Sequence, residues 1–403
     1  MTRKHFLGLL SSILMMTAAT SCVRDEALSP ECDITAVSHT WLSQQATGGL
    51  LGTPIIKQSQ PASVTFFISQ TVKDSAANEL NPKFDIRSLS PQFTVSDGAT
   101  LYFNDGNGNL SAYDTETRRD FTTPQTYSVK SEDGNFTKDY TVSFIVPRPI
   151  DSCDFETYSY DNDKHNYMTL LQLQEDGSYS SNIWDSGNAG YKLTGMASSP
   201  ELYPTVFAID SITGSRCAKL TTCSTGNFGM MTRPRMPIAA GNLFIGEFRI
   251  GQAMLAPRKA TRFGLQIVKG EPTTLSGWYR YKSGDVFTDK NKNVIEERRD
   301  TADIYAVLYE VDPDNFVALD GDSVLTSNRI VSLARIADPG EPSAWTYFSE
   351  PFQYKNGKTF SAERLARNGY AIAIVMTSSR QGAYFEGAVG SELWVDNIKL
   401  SYK

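Results

Sequence analysis

The stretch LSGWYRYKSGDVF, residues 275–287, sets one Trp, two Tyr and one Phe among Arg and Lys. Sugars meet proteins in two ways. Their C–H faces stack on aromatic rings, and their hydroxyls exchange hydrogen bonds with Arg, Asp, Glu, Asn or Gln. This stretch supplies both kinds of group, and each Tyr adds a polar handle to its ring. The element that carries the stretch decides which rings can serve. In a β-strand successive side chains point to opposite faces, so Trp278 and Arg280 share one face while Tyr279 and Tyr281 share the other. One pair lines a core and the other faces outward, and Arg280 favours the Trp278 face as the wet one. Trp184 and Asp185, in WDSGNAG, fall on a loop signal, where a ring has less packing reason and function is more frequent. Trp345, in EPSAWTYFSEPF, leads into a strand. Trp278, Tyr279, Arg280, Tyr281, Trp184, Asp185 and Trp345 are therefore the candidate glycan contacts. Trp394 alternates with Leu393 and Val395 and reads as core.

Hydrolysis of a glycosidic bond asks for two carboxylates about 5 to 9 Å apart. The candidates are Glu156 and Glu247. Glu247 lies mid-strand in LFIGEFRI, where a charge needs a partner or a wet face. Alternation puts Leu243, Ile245, Glu247 and Arg249 on one face, so Arg249 can be that partner, and Phe244, Gly246, Phe248 and Ile250 on the other. Asp303, Glu310 and Asp396 are further acids on or beside strands. No ExDxxE spacing puts two acids on one strand face, which counts against catalysis. Asp289, Asn291, Asn293 and Asp300 occupy positions 1, 3, 5 and 12 of a calcium-type loop, but Val294 stands where that loop needs Gly for its sharp turn. A long charged hairpin loop is the expectation there. Three His, no HExxH motif and no paired Cys of metal spacing argue against a zinc enzyme.

The ends bound the compartment. Arg3, Lys4 and His5 precede an apolar run over residues 6–16 and the small residues before Cys22. Eleven residues of helix reach about 16 Å, half a bilayer core, so this reads as an export signal and not a membrane span. Residues 1–21 are the expected signal peptide and 22–30 a tether. The residues before Cys22 resemble a lipobox, although Ala19 stands where a bulkier aliphatic residue is usual. Cys22 is then the lipidation site, and several acyl chains anchor stably where one does not. Arg24-Asp25-Glu26 resembles the charged tag of Bacteroidetes lipoproteins displayed on the outer cell surface. The expected location is the outer membrane, lipid-anchored and facing outward. Losing Arg3 and Lys4 takes the formal charge from −7 to −9. An acidic chain without a basic block is a poor nucleic-acid binder. Cys32, Cys153, Cys217 and Cys223 remain; four thiols allow three pairings, and small buried thiols are the favoured reading.

Helical periodicity is nearly absent, with one short helix expected at SAERLARNG between Ser361 and Gly369. Elsewhere short apolar or alternating runs (SVTFFI, YTVSFIV, NLFIGEFRI, DIYAVLYEV, YAIAIVM, ELWVDNIKLSY) lie between Gly, Asp, Asn and Pro clusters. The fold class is all-β, built as sandwiches. VPRPIDS, residues 146–152, marks a boundary. Residues 31–148, with a hairpin turning at residues 132–135, resemble the immunoglobulin-like modules near the N-termini of Bacteroidetes surface lipoproteins. Residues 151–403 carry, in order, DFETYS, WDSGNAG, AAGNLFIGEF, FGLQIVKGEPTTLSGWYRYKSGD, DIYAVLYEV and ELWVDNIKLSY. This set resembles the putative carbohydrate metabolism domain (PCMD) of Bacteroidetes lipoproteins, whose usual Tyr-Tyr-Lys-Tyr is here Trp278-Tyr279-Arg280-Tyr281. The resemblance implies a jelly-roll sandwich and a polysaccharide or oligosaccharide partner. It implies no cofactor, although structural calcium is common in jelly-roll sugar binders. Glycan capture is the leading expectation, a glycoside hydrolase the second, and a structural or adhesive surface protein the third.

Overall fold

Two apolar runs organise the larger part of the chain. In Asp303–Glu310 and Tyr370–Thr377 nearly every residue is buried on both alternating faces, the pattern of a strand covered on both sides. The computed structural model, which describes residues 28–45, 50–51, 53–58, 61–68, 85–160, 166–174, 177, 179–312 and 315–403, pairs them antiparallel from Asp303↔Thr377 to Glu310↔Tyr370. They form the centre of an eight-stranded sheet. Its order is Leu319–Asp320, Thr261–Phe263, Asn242–Phe248, Tyr370–Thr377, Asp303–Glu310, Ile330–Arg335 and Gln353–Tyr354, with Trp184–Asp185 beside Asn242–Phe248.

A six-stranded sheet packs against it. Its order is Thr205–Ile209, Arg216–Thr221, Glu392–Tyr402, Pro272–Lys282 and Thr346–Pro351, with Ser152–Cys153 also pairing Glu392–Tyr402. Leu275, Tyr279, Leu393 and Val395 of this sheet meet Ile245, Ile304, Leu308, Ile372 and Ile374 of the larger one in a single core. The other parity of the larger sheet, including Phe244, Tyr305, Tyr309, Val375 and Leu319, forms a second cluster on its far side, with Phe316 and Val324 from the flanking loops. The result is a jelly-roll sandwich whose larger sheet has a second, partial cover.

The N-terminal unit is an immunoglobulin-like sandwich. A mixed six-stranded sheet runs in the order Ile55–Lys57, Ala62–Phe67, Thr137–Ile145, Gln125–Lys130, Thr100–Asn104 and Leu110–Ala112. A ribbon of Ile34–Val37 and Phe93–Val95 closes its core. Ala62–Phe67 lies parallel to Thr137–Ile145, so the segment after Cys32 belongs to the same sandwich. The expected hairpin is present, with Lys130 opposite Thr137. Its turn holds Gly134 at φ +72°, and the Asp133 carboxylate accepts the Asn135 amide at 2.9 Å. A helix over His39–Gln45 is absent from the expectations; its Trp41 is buried in the sandwich core. Ile55 and Phe67 leave that core for the larger one, and Asn182 donates to Thr65, so the two units share a buried contact.

The expected short helix is Ala362–Ala366, capped by Ser361, whose hydroxyl accepts the Arg364 amide at 3.2 Å. Cys32, Cys153, Cys217 and Cys223 are free thiols, the first three buried. The expected signal peptide, Cys22 and Arg24-Asp25-Glu26 lie outside the described residues.

Phe66 is fully buried, stacked on Phe144 at 4.4 Å and edge-on to Trp41 at 5.6 Å. Truncating such a ring costs about 3–5 kcal/mol. Calorimetric unfolding of Phe66→Ala is expected to show the transition of the N-terminal unit at markedly lower temperature; an unshifted profile would contradict this core.

Candidate functional site

Where the second cover of the larger sheet stops, a cleft opens over its far face. Its floor is two rows of side chains set by strand register. Asn242 lies opposite Thr377 and Thr377 opposite Asp303, giving a polar row across three strands. One step along, Phe244 lies opposite Val375 and Val375 opposite Tyr305, giving an apolar row. All six line a cavity of about 290 Å³, near the lower end for small-molecule sites.

The walls come from short helices and loops laid over this floor. Phe263 meets Phe244 edge-on at 4.9 Å, and Phe248 adds a third ring. Gly190 lets the helix Asn188–Lys192 lie against Phe248, because a Cβ there would stand 2.9 Å from the ring's Cζ. At the mouth Arg258 pairs with Asp322 at 2.7 Å and lies 4.8 Å over the Tyr384 ring. A shallower recess adjoins this rim and shares Arg258, Asp322 and Tyr384 with the cleft.

The polar row is held rigid. Asp303 is buried and takes a bidentate pair of bonds from Arg335, Nε at 2.8 Å and Nη2 at 2.7 Å. Such forks fix geometry as well as charge. Arg380, which also lines the cleft, brings its Nε to 3.7 Å from the same carboxylate. Two guanidiniums thus face one carboxylate. The Asn242 side chain accepts the Gly187 amide at 2.8 Å and donates to the Ala240 carbonyl at 3.1 Å. A ligand with apolar faces and hydroxyl edges meets the half-buried Phe248, Asn242, Thr377 and Arg380 here, above a floor in which Phe244, Tyr305, Val375 and Asp303 are buried.

None of the seven expected contact residues lines this cleft. In the 275–287 stretch the alternation holds: Trp278 is 43% exposed, while Tyr279 and Tyr281 are 6% and 2% exposed. The two tyrosines are corrected to core positions. Their hydroxyls donate to the carbonyls of Pro339 at 2.7 Å and Ser378 at 3.1 Å, which satisfies them inside the sandwich. Arg280 and Trp345 lie on the Trp278 side, joined through Asp210. Trp394 also belongs to that side, since Arg280 stands 4.3 Å over its ring; the core reading fails because a strand one residue out of phase with Leu393 and Val395 must face away from them.

Trp184 is corrected as well. It sits on a short strand opposite Ile245, 1% exposed, with its indole donating to Gln172 at 3.0 Å. Asp185 acts at one remove from the cleft. Its carboxylate accepts the amides of Ser186 and Phe248, both at 2.7 Å, and so fixes the backbone of a cleft ring. The catalytic candidates do not converge. Glu247 is tied to Arg249 and to Arg262, the latter at 2.9 Å, and exposed Glu156 accepts the Arg216 amide at 3.0 Å. Neither lines the cleft. The calcium-type loop does not gather its residues either. The Asp289 carboxylate is occupied by the amides of Asn291 and Asn293 and by the Asn293 side chain. Asp300 is buried elsewhere, among Ser379, Ala388 and Ser391. Among the described residues no group of three or more His, Cys, Asp or Glu could hold a metal. The cleft had a sequence signal: DIYAVLYE and YAIAIVMT are apolar on both faces, so a second face had to be covered.

Comparisons with known proteins agree with this architecture. Residues 154–401 match the family described as Putative carbohydrate metabolism domain, and residues 64–144 match the SGBP N-terminal domain. A solved structure from Bacteroides thetaiotaomicron VPI-5482, described as a putative glycoside hydrolase, is 38% identical with a TM-score of 0.77. The match covers 94% of this chain and 99% of that one. A second, from Bacteroides vulgatus ATCC 8482 and described in the same words, is 36% identical with a TM-score of 0.57, over 64% of this chain and 100% of that one. No curated protein matches the chain.

Asp185 also gives the site a pH signature. Burial pushes its carboxyl up to about 6 against the pull of the Phe248 and Ser186 amides. Its folded value thus exceeds the unfolded value near 3.8. The stability linked to its proton is fully present below about 4 and is lost as pH rises through about 6. Asp185→Asn cannot titrate. In urea unfolding from pH 4 to pH 7, the stability difference between variant and wild type is expected to move in the variant's favour up to about pH 6 and then level off. A pH-independent difference would contradict it.

Proposed function

The chain belongs to the putative carbohydrate metabolism domain family, and from that premise we propose that it captures glycan in the cleft over the larger jelly-roll sheet. The observation that carries this reading is the two-row floor. Phe248 offers a half-buried ring over the buried apolar row of Phe244, Val375 and Tyr305, and Asn242 and Thr377 offer polar edges beside it, with Asp303 buried at the end of their row. A pyranose has the same division, with C–H faces and hydroxyl rims. The cavity's size and walls suit a short stretch of glycan or a chain end. The immunoglobulin-like unit serves as a spacer, and the chain acts at the cell surface, tethered to the outer membrane through lipidated Cys22. Among the described residues no helix is long and apolar enough to cross a membrane. The formal charge of −7 makes nucleic acid a poor partner.

Binding is favoured over hydrolysis by the state of the acids. Among the described residues, the carboxylates lining the cleft are Asp303 and Asp322, and each is paired with Arg. A general acid must be free to reach the glycosidic oxygen, whereas both oxygens of Asp303 are engaged by the Arg335 fork, although burial raises its carboxyl above the ordinary value. The hydrolase reading keeps one support, the description of the two solved relatives.

A glycan array with the folded protein is expected to give at least one oligosaccharide ligand. Ala383 is an exposed residue on the cleft wall. Calorimetry with that ligand is expected to show affinity at least about tenfold weaker for Ala383→Trp, since an indole there obstructs the mouth; tenfold is 1.4 kcal/mol. An array without hits, or unchanged affinity in a folded Ala383→Trp, overturns the reading. Release of reducing ends that Asp303→Asn abolishes would establish hydrolysis in its place.

A further inference from the structure

The smaller sheet turns a second set of rings to solvent, on the opposite side of the sandwich from the cleft. Register aligns them in two rows. In the first, Lys219 lies opposite Trp394 and Trp394 opposite Arg280. In the second, Asp396 lies opposite Trp278 and Trp278 opposite Tyr347. Trp278 and Tyr347 are 43% and 55% exposed, with ring centres 5.3 Å apart and planes at 58°. Trp345, at the entry to the Tyr347 strand, completes the set.

The charges between these rings are tied down. Arg280 lies 4.3 Å over Trp394 and 5.4 Å over Trp345, and its Nη2 donates to Asp210 at 2.6 Å. Asp210 is fully buried and also accepts the Trp345 indole at 3.2 Å and the amides of Ile212 and Thr213. Burial works to raise its carboxyl, but these donors outweigh it and hold it below the usual range. Lys219, on the strand at the other flank of Trp394, stands 5.1 Å from its ring centre and pairs with Glu392 at 2.8 Å. Lys219 and Arg280 are matched by Glu392 and Asp210, Asp396 adds a further carboxylate to the face, and the rings beside them are fixed before any ligand arrives. Preorganised rings lose little freedom on binding.

We propose that this face is a second carbohydrate site, a flat platform for the flank of an uncharged polysaccharide chain, with Trp278 and Tyr347 as its stacking rings and Arg280 and Trp345 as its fixed edge. The proposal rests on the carbohydrate reading of the family but not on the cleft. Platform and cleft divide the task by shape. An open ring surface accepts the side of a long chain, whereas a walled cavity takes a short piece or an end. This balance selects neutral polymers over uronate-rich or sulfated ones, because an acidic chain would meet paired cations and the Asp396 carboxylate.

Native affinity electrophoresis tests it on the full chain, in gels containing hydroxyethyl cellulose, xyloglucan, galactomannan or dextran, with polygalacturonate as the charged comparison. Wild type is expected to be retarded by at least one neutral polymer. The double variant Trp278→Ala/Tyr347→Ala is expected to lose that retardation by about tenfold or more in apparent affinity, while keeping its melting profile. Ala383→Trp is expected to retain it, which separates the platform from the cleft; calorimetry with short oligosaccharides reports on the cleft alone. Equal retardation of wild type and double variant, retardation by polygalacturonate only, or none in any neutral gel overturns the proposal. Self-association of wild type that the double variant abolishes would also overturn it, as a protein interface.

Discussion

The constraint on which the larger domain depends is that two neighbouring strands, Asp303–Glu310 and Tyr370–Thr377, are apolar on both faces. Such strands cannot sit at a surface, since each fully buried Leu, Ile or Val side chain is worth about 1.5–3 kcal/mol relative to exposure. The inner face, with Ile304, Leu308, Ile372 and Ile374, is covered by the smaller sheet. The outer face, with Tyr305, Tyr309 and Val375, is covered by the loops that carry Phe316 and Val324 on either side of the edge strand Leu319–Asp320. A sheet with only one hydrophobic face would need no such cover.

The cleft follows from where that cover ends. Toward Asp303 and Thr377 the outer face turns from apolar to polar, and the loops stand off it and form walls. The polar groups left there are not idle charges. Asp303 is clamped by Arg335, and Asn242 is held by the backbone of Gly187 and Ala240. A buried carboxylate without such partners would be costly. The same economy appears on the other sheet, where Asp210 is fully buried yet accepts from Arg280, the Trp345 indole and two amides. In both places ordered partners make a charged group compatible with packing and leave rings in fixed positions beside it.

Much of the fold was legible. The β-class, the hairpin turning at residues 132–135 and the capped helix after Ser361 rest on local signals such as turn residues, alternation and a capping Ser. The alternation of Trp278 with Tyr279 was legible too, because strand geometry allows no other arrangement. Less legible was the destination of single rings. Trp184, among Asp, Ser and Gly, carries a loop's composition, yet it is buried on a short strand beside Ile245. Trp394 has the neighbours of a core residue and stands on the outer face. Composition speaks to local conformation, whereas burial depends on which partner strand lies alongside.

By itself the sequence determined what depends on neighbours along the chain: strands, turns, a helix cap, and the pairing of Trp278 with Arg280 on one face. It also carried, in runs apolar at every interior position, the requirement for a second cover. Only the tertiary structure decided what depends on register between distant strands. Asn242, Thr377 and Asp303 form one row although 135 residues separate the first two and 74 the last two. Lys219, Trp394 and Arg280 form another. No local pattern encodes such rows, because each strand's side chains are positioned by hydrogen bonds to strands remote in sequence, and a slip of one residue would turn every one of them to the opposite face.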